Sequence, residues 1–312
     1  MKRIFNINYA NANPIWLAFL RCGICFISLV HFISIQPDFD TLFSQHAIVP
    51  PDMLHVLNIF RYQFFPSVYD VHIFLHQFMP VSFEQVLLTI RIFYPLSLLL
   101  LMTGLFSRVS AILSLLLQLT LLSSIDAYNY GVDVFTTIAL FYCVVFPVGK
   151  VYSLQNYITK KRPLLTNHVK YLHVLQAHFC IAYFFSGFEK LLGDNWRNGE
   201  SIWKMMHGYD TTNIINFDFL YNTPFFLIIG WGTIMLEMFY PLFINIKKTR
   251  KAWLTATIIF HVSIALFMGL YFFSAVMIIL NLTCYYAPFI TLSVSQKNVL
   301  PQKIEEIPAA TY

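Results

Sequence analysis

The stretch Phe184–Trp203, FFSGFEKLLGDNWRNGESIW, decides how the chain is read. It begins as apolar helix, then carries Glu189 and Lys190, leaves through Gly193 and Asp194, and ends on a W-x-x-G turn at Trp196 and Gly199. A lysine near the end of a membrane helix can send its ammonium to the interface along an apolar stem. The same residue inside a helix bundle is costly and marks either a function or an ion pair. Which of these Lys190 is depends on the topology around it.

Composition sets the frame. Of 312 residues, 58% are hydrophobic, 18% aromatic and only 11% charged, and the mean hydropathy is +0.64. Soluble domains carry about 25% charged residues, so this chain is solvated mainly by lipid. The expected fold is all-α, a polytopic membrane helix bundle, with the lipid bilayer as its first partner. No basic tract is interleaved with exposed aromatics, so nucleic acid is not an expected partner. The five cysteines fall inside apolar spans, where packing is their expected role; Cys22 and Cys25 form a C-x-x-C within a helix rather than at its N-terminus.

Working outward in both directions, eight apolar stretches emerge. They run over 15–35, 84–106, 109–125, 132–148, 171–192, 223–246, about 253–272 and about 274–292. The first covers 21 residues, enough at about 1.5 Å per residue to cross a core of about 30 Å, and is expected to be a retained helix rather than a cleaved signal. The two long connections, 36–83 and 193–222, are expected to form caps. Within the first, 53–64 reads as an interfacial amphipathic helix. His72 and His76 stand four apart there, but lack the further ligands of a metal site and read as an interfacial pair; no metal is expected. Residues 1–292 thus read as one bundle, followed by a short polar tail at 293–312.

The charges orient it. With the N-terminus in the cytoplasm and the spans alternating, cytoplasmic segments hold 14 Lys/Arg and exoplasmic segments three. That is a strong positive-inside asymmetry. It predicts about eight transmembrane helices with both termini, and the tail, cytoplasmic. Only Arg21, Arg91 and Lys190 remain within spans. In this topology Lys190, Arg91, Asp126, Asp133 and His261 gather in the outer half of the bundle, with Glu237 somewhat deeper. An ion pair between Lys190 and Asp126 or Asp133 is expected, because an unpaired charge at such depth is disfavoured. The chemistry on offer is proton transfer. Burial penalises a charged ammonium, so a lysine kept from water can act as a base near neutral pH, and His261 could orient a substrate or steady a developing anion. No G-x-S-x-G, H-E-x-x-H or phosphate-cradling glycine loop is present.

The order of landmarks resembles the HTTM family, the membrane domain related to vitamin K-dependent γ-carboxylase. The first helix carries an internal arginine in FLRCGICFISLVHF; a helix pair reads YPLSLLLLMTGLFSRVSAILSLLLQL; GFEKL is followed by WRNG; and FHVSIALFMGLYFF places a histidine within a helix. The resemblance implies that Lys190 is the base, His261 a supporting residue, and a reduced, vitamin K-like quinone the cofactor, on the exoplasmic face of a plasma membrane, here a bacterial inner membrane. Asp133, Asp126, Arg91, Trp196, Gly199 and Glu237 complete the expected site. The chain departs from the carboxylase at NYGVDVF (129–135), where an Asn-x-His element is usual, in a Lys190-to-Trp196 spacing one residue longer, and in stopping after the bundle. The G-x-D form of that link is closer to the SdpB-like bacterial branch. Two functions follow: a carboxylation-type, quinol-linked enzyme, or a non-catalytic factor that helps a small secreted, antimicrobial peptide mature or leave the cell, using the 36–83 and 193–222 loops.

Overall fold

A computed structural model describes residues 12–60, 65–125, 128–160, 165, 167–208, 218–220 and 223–290, and among them all regular structure is helical. Asp126, the 293–312 tail and the greater part of 209–222 lie outside the described residues. The first helix, α1 (Ile15–Ser34), threads the core: Trp16, Leu17, Leu20, Ile24 and Cys25 are fully buried. It packs against α5 (Phe83–Thr103), α7 (Gly131–Val145) and α15 (Tyr271–Tyr285).

Arg21, 1% exposed, explains why a charge is tolerated at the centre of α1. Its guanidinium donates to the carbonyls of Val148 (2.6 Å), Val151 (3.2 Å) and Tyr152 (2.7 Å). These carbonyls belong to the turn after α7, where Pro147 interrupts the helix before α8 (Leu154–Ile158). The two helical arms, 131–145 and 148–158, meet at a 64° bend. A planar, always-charged fork suits carbonyls that have lost their helical partners.

Between α1 and α5 the 36–83 connection is largely helical, with α2 (Phe39–Phe43), α3 (Pro51–Phe60) and α4 (Val68–His76). The expected interfacial helix at 53–64 is therefore α3, shifted toward the N-terminus, with 61–64 outside the described residues. Helix α4 starts on a capping box of Ser67 and Asp70, and α5 on one of Ser82 and Gln85. Helix α5 ends at Gly104, whose φ of 81° only glycine adopts freely. The chain then reverses into α6 (Ser107–Ser123). Small polar side chains let the pair approach closely: Ser97 Oγ and Ser114 Oγ are 2.8 Å apart, and Tyr94 hydrogen-bonds Gln118.

The second half comprises α9 (His168–Leu192), α10 (Asp194–Arg197), α11 (Glu200–Met206), α12 (Phe225–Met238), α13 (Tyr240–Phe243) and α14 (Arg250–Met268), closed by α15. Helix α9 runs against α12, and α15 joins this half to the first through α14 on one side and α1 and α7 on the other.

Each of the eight apolar stretches is helical, but helix length alone does not carry the count of eight. Among the described residues four segments are long and apolar enough to cross a membrane: 15–34, 83–103, 250–268 and 271–289. Counting the bent 131–158 pair as one span gives up to five. Helices α6 (17 residues) and α12 (14 residues) fall short of the about 20 residues a perpendicular crossing needs. Helix α9 has 25 residues but carries charge at both ends. The single span expected at 223–246 is divided at Phe239, because Pro241 cannot supply a helical N–H.

Candidate functional site

On α9, Tyr183, Ser186 and Lys190 stand at i, i+3 and i+7, one stripe of a helix surface. On α12, Thr233 and Glu237 stand at i and i+4 and face that stripe. The helices can meet there because residue 187 is glycine: a Cβ at this position would lie 2.5 Å from the backbone nitrogen of Met238. Across the gap, Lys190 Nζ donates to Glu237 Oε2 at 2.7 Å and to Ser186 Oγ, also at 2.7 Å. The side chains of Lys190 and Glu237 are 18% and 7% exposed. The lysine is thus neither a snorkelling residue nor alone.

These groups line a cavity of about 260 Å³ bounded by α7, α9, α12, α14 and α15 and roofed by α10 and α11. Its walls are mostly apolar, with Phe135, Phe260 and Phe273 presenting aromatic rings. The indole of Trp196 forms part of the roof, with the Lys190 ammonium 5.0 Å from its ring centroid, a cation–π contact. His261 closes another wall and is 2% exposed. Its Nε2 lies 2.8 Å from the Tyr183 hydroxyl, which also accepts from Asn281 Nδ2 at 2.8 Å. Asn281 Oδ1 accepts from the Tyr240 hydroxyl at 2.6 Å, and the ring of Tyr240 stacks on Tyr183 at 4.1 Å. The Asn281 amide is oriented by its second bond, Nδ2 to the Met277 carbonyl at 2.8 Å, since a carbonyl can only accept. His261 Nδ1 is buried with no hydrogen-bond partner among the described residues.

Of the residues expected at the site, Lys190, His261, Trp196 and Glu237 line this one cavity. Gly199 supports it from behind. It opens α11 with a φ of 85°, and a Cβ there would strike the backbone of Phe226 and Leu227 at 2.6 and 2.5 Å. Asp133 is placed elsewhere. Its carboxylate accepts the Tyr130 N–H at 3.1 Å and caps α7, whereas the carboxylate that meets Lys190 among the described residues is Glu237 on α12; Asp126 lies outside them. Arg91 is also apart from the cavity. It donates to Gln36 at 2.8 Å, pairs with Asp40 at 3.4 Å and lies over the Phe39 ring, binding the first connection to α5.

Sequence reading passed over Ser186, Tyr183, Asn281, Tyr240 and Thr233. The helical spacing of Tyr183 and Ser186 from Lys190 was a usable signal. Asn281, 98 residues from its hydroxyl partner, offered none.

The HTTM domain family matches residues 47–288. No curated protein and no solved structure matches the chain. The matched region contains the whole cavity, two of the four full-length apolar helices, and all but the last residue of a third. The chain is therefore a membrane protein of the HTTM family, the carboxylase-related family its sequence landmarks resemble.

Proposed function

We propose that this protein is a proton-transfer enzyme working within the membrane, with the Lys190–Glu237 pair as its base. The observation that carries this reading is the convergence of Lys190, Glu237, His261 and Trp196 on one apolar cavity. The 2.7 Å hydrogen bond lets Lys190 pass a proton to Glu237 Oε2. The freed Nζ lone pair can then accept a proton from a substrate, so the pair stores one proton and the lysine returns to its ammonium form. Tyr183 fixes the ring of His261, which steadies negative charge as it develops at the far wall.

A reduced quinone fits the residues present. Phe135, Trp196, Phe260 and Phe273 offer flat apolar faces, and Lys190 and His261 supply polar atoms on separate walls. Bound there, it would supply an acidic ring hydroxyl for a carboxylation-type reaction. In this reading the bundle crosses the plasma membrane, a bacterial inner membrane, eight times with both termini cytoplasmic and the cavity toward the exoplasmic side. The 14-to-3 distribution of Lys/Arg supports that orientation.

The test uses purified protein in nanodiscs and the oxygen-dependent consumption of a reduced naphthoquinone. Lys190→Met keeps an apolar stem, and Lys190→Arg keeps a charge that cannot leave near neutral pH. Both should insert and fold, and both should lose turnover. Full turnover in Lys190→Arg overturns the reading.

A second reading, a non-catalytic factor for maturation or export of a small secreted peptide, draws support from one feature. Phe74, Phe78 and Met79 are 60%, 71% and 51% exposed at the end of α4, an apolar ridge on the 36–83 connection. Under this reading Lys190→Arg is silent, while Phe74→Ser/Phe78→Ser abolishes peptide maturation.

A further inference from the structure

The contacts of Lys190 include one that proton abstraction does not use. Ser186 Oγ lies 2.7 Å from Lys190 Nζ and Lys190 Nζ lies 2.7 Å from Glu237 Oε2, so the shared ammonium brings the serine hydroxyl beside the Glu237 carboxylate. The three side chains close a triangle. A hydroxyl that accepts from an ammonium while facing a carboxylate has both requirements of an activated nucleophile: a base for its proton and a cation for its oxygen. Unrelated folds reach this arrangement with different residues in the supporting roles, so it is recognised by geometry rather than by motif. Here it sits on an apolar cavity walled by Met205, Ile264, Met268 and Phe260.

From this triangle we infer that Ser186 is a nucleophile and that the cavity has a second chemistry, acyl transfer from esters or thioesters of apolar acids. Ser186 Oγ bonds to the acyl carbon as its hydroxyl proton passes to Glu237, and the carbonyl π pair moves to oxygen. Lys190 stabilises the serine oxygen as its proton departs. Collapse of the tetrahedral species re-forms the carbonyl and breaks the bond to the leaving alcohol or thiol. That group departs with the proton held by Glu237. Water then attacks the acyl-serine, gives its proton to Glu237, and Ser186 recovers a proton as the free acid leaves. The net reaction consumes one water and releases one acid and one alcohol or thiol; no electrons change hands.

The geometry favours this over a purely solvating role for the hydroxyl. A serine one turn before a lysine can hydrogen-bond its ammonium anywhere on a helix, but that requires neither a facing carboxylate nor an adjoining apolar chamber. The apolar walls set the substrate class, since a charged or strongly hydrated acyl group would enter without partners for its polar atoms.

The test treats the full-length protein in nanodiscs with an alkyl fluorophosphonate and maps the adduct by peptide mass spectrometry, with hydrolysis of p-nitrophenyl octanoate as the turnover assay. The expected result is a single adduct on Ser186, absent from Ser186→Ala, and a burst of p-nitrophenol close to one per protein. Replacing the base in Glu237→Gln should slow labelling about 100-fold. No adduct on Ser186 in the unmodified protein overturns the inference, and that measurement needs no variant to fold. Labelling that proceeds equally fast in a folded Glu237→Gln overturns it too, since the serine is then only an accessible hydroxyl. Neither measurement involves a quinone, so an absent adduct leaves the Lys190 base reading standing, and a silent Lys190→Arg in the quinone assay leaves the adduct to be explained.

Discussion

At the scale of single residues, the pairing of Lys190 with Glu237 separates structural from chemical roles. Removing one partner of a largely buried ion pair leaves a charge without compensation, a loss of about 3–5 kcal/mol, whereas replacing both with apolar groups of similar volume is often neutral or better. Glu237→Gln should therefore lower the unfolding midpoint in detergent, and Lys190→Met/Glu237→Leu should restore it without restoring turnover. A double variant no more stable than Glu237→Gln would show that the pair does not hold α9 to α12. That Lys190 stands apart from its apolar helix and needs a partner was legible from sequence, because an ionisable residue inside a membrane helix is costly. Its stripe with Tyr183 and Ser186 was legible as well, by helical spacing. Its partner was not. Glu237 is 47 residues away, and nothing in local pattern says that α12 supplies a carboxylate to Lys190. Asp133 made an equally good candidate until its carboxylate was found capping α7.

At the scale of elements, close approach and capping decide which helices meet. Gly187→Ala places a methyl 2.5 Å from Met238 N, against backbone that cannot swing aside. Overpacking of this kind costs about 1–3 kcal/mol, and here it also moves Lys190 away from Glu237. Turnover should fall more steeply than stability; an unchanged rate would mean that the α9–α12 spacing does not tune the pair. Arg21→Met tests the bend after α7. Three carbonyls lose their donor, at about 1–3 kcal/mol for each that stays dry. The expected result is enhanced protease cleavage within 148–160, with Arg21→Lys intermediate because it keeps the charge and loses the fork. Every apolar run in the sequence became a helix. Their ends were less legible: Pro241 cuts the expected 223–246 span after α12, and the described residues of 36–83, read as a connection with one amphipathic helix, form three α-helices and a 3-10 turn before α5. Of those short helices, α4 starts on the capping box at Ser67, a local signal that a search for long apolar periods passes over.

At the scale of the whole molecule, the proposed orientation is checked by cysteine labelling in intact cells. A cysteine at Lys204 should react with an impermeant maleimide from outside, and one at Lys160 only after permeabilisation; reaction at 160 from outside reverses the bundle. The all-helical class was legible from composition alone, since lipid leaves a chain this apolar few other ways to satisfy its backbone. The cavity was not, because it lies where α7, α9, α12, α14 and α15 come together, an arrangement that exists only once the bundle has closed. That late closure bears on Arg21. Its nearest acceptor, the Val148 carbonyl, is 127 residues further along the chain. At about 5–20 residues per second, synthesis takes on the order of ten seconds to cover that distance. For that interval α1 holds a guanidinium without the three carbonyls that later bind it, so the nascent helix carries an uncompensated charge until the turn beyond α7 is made.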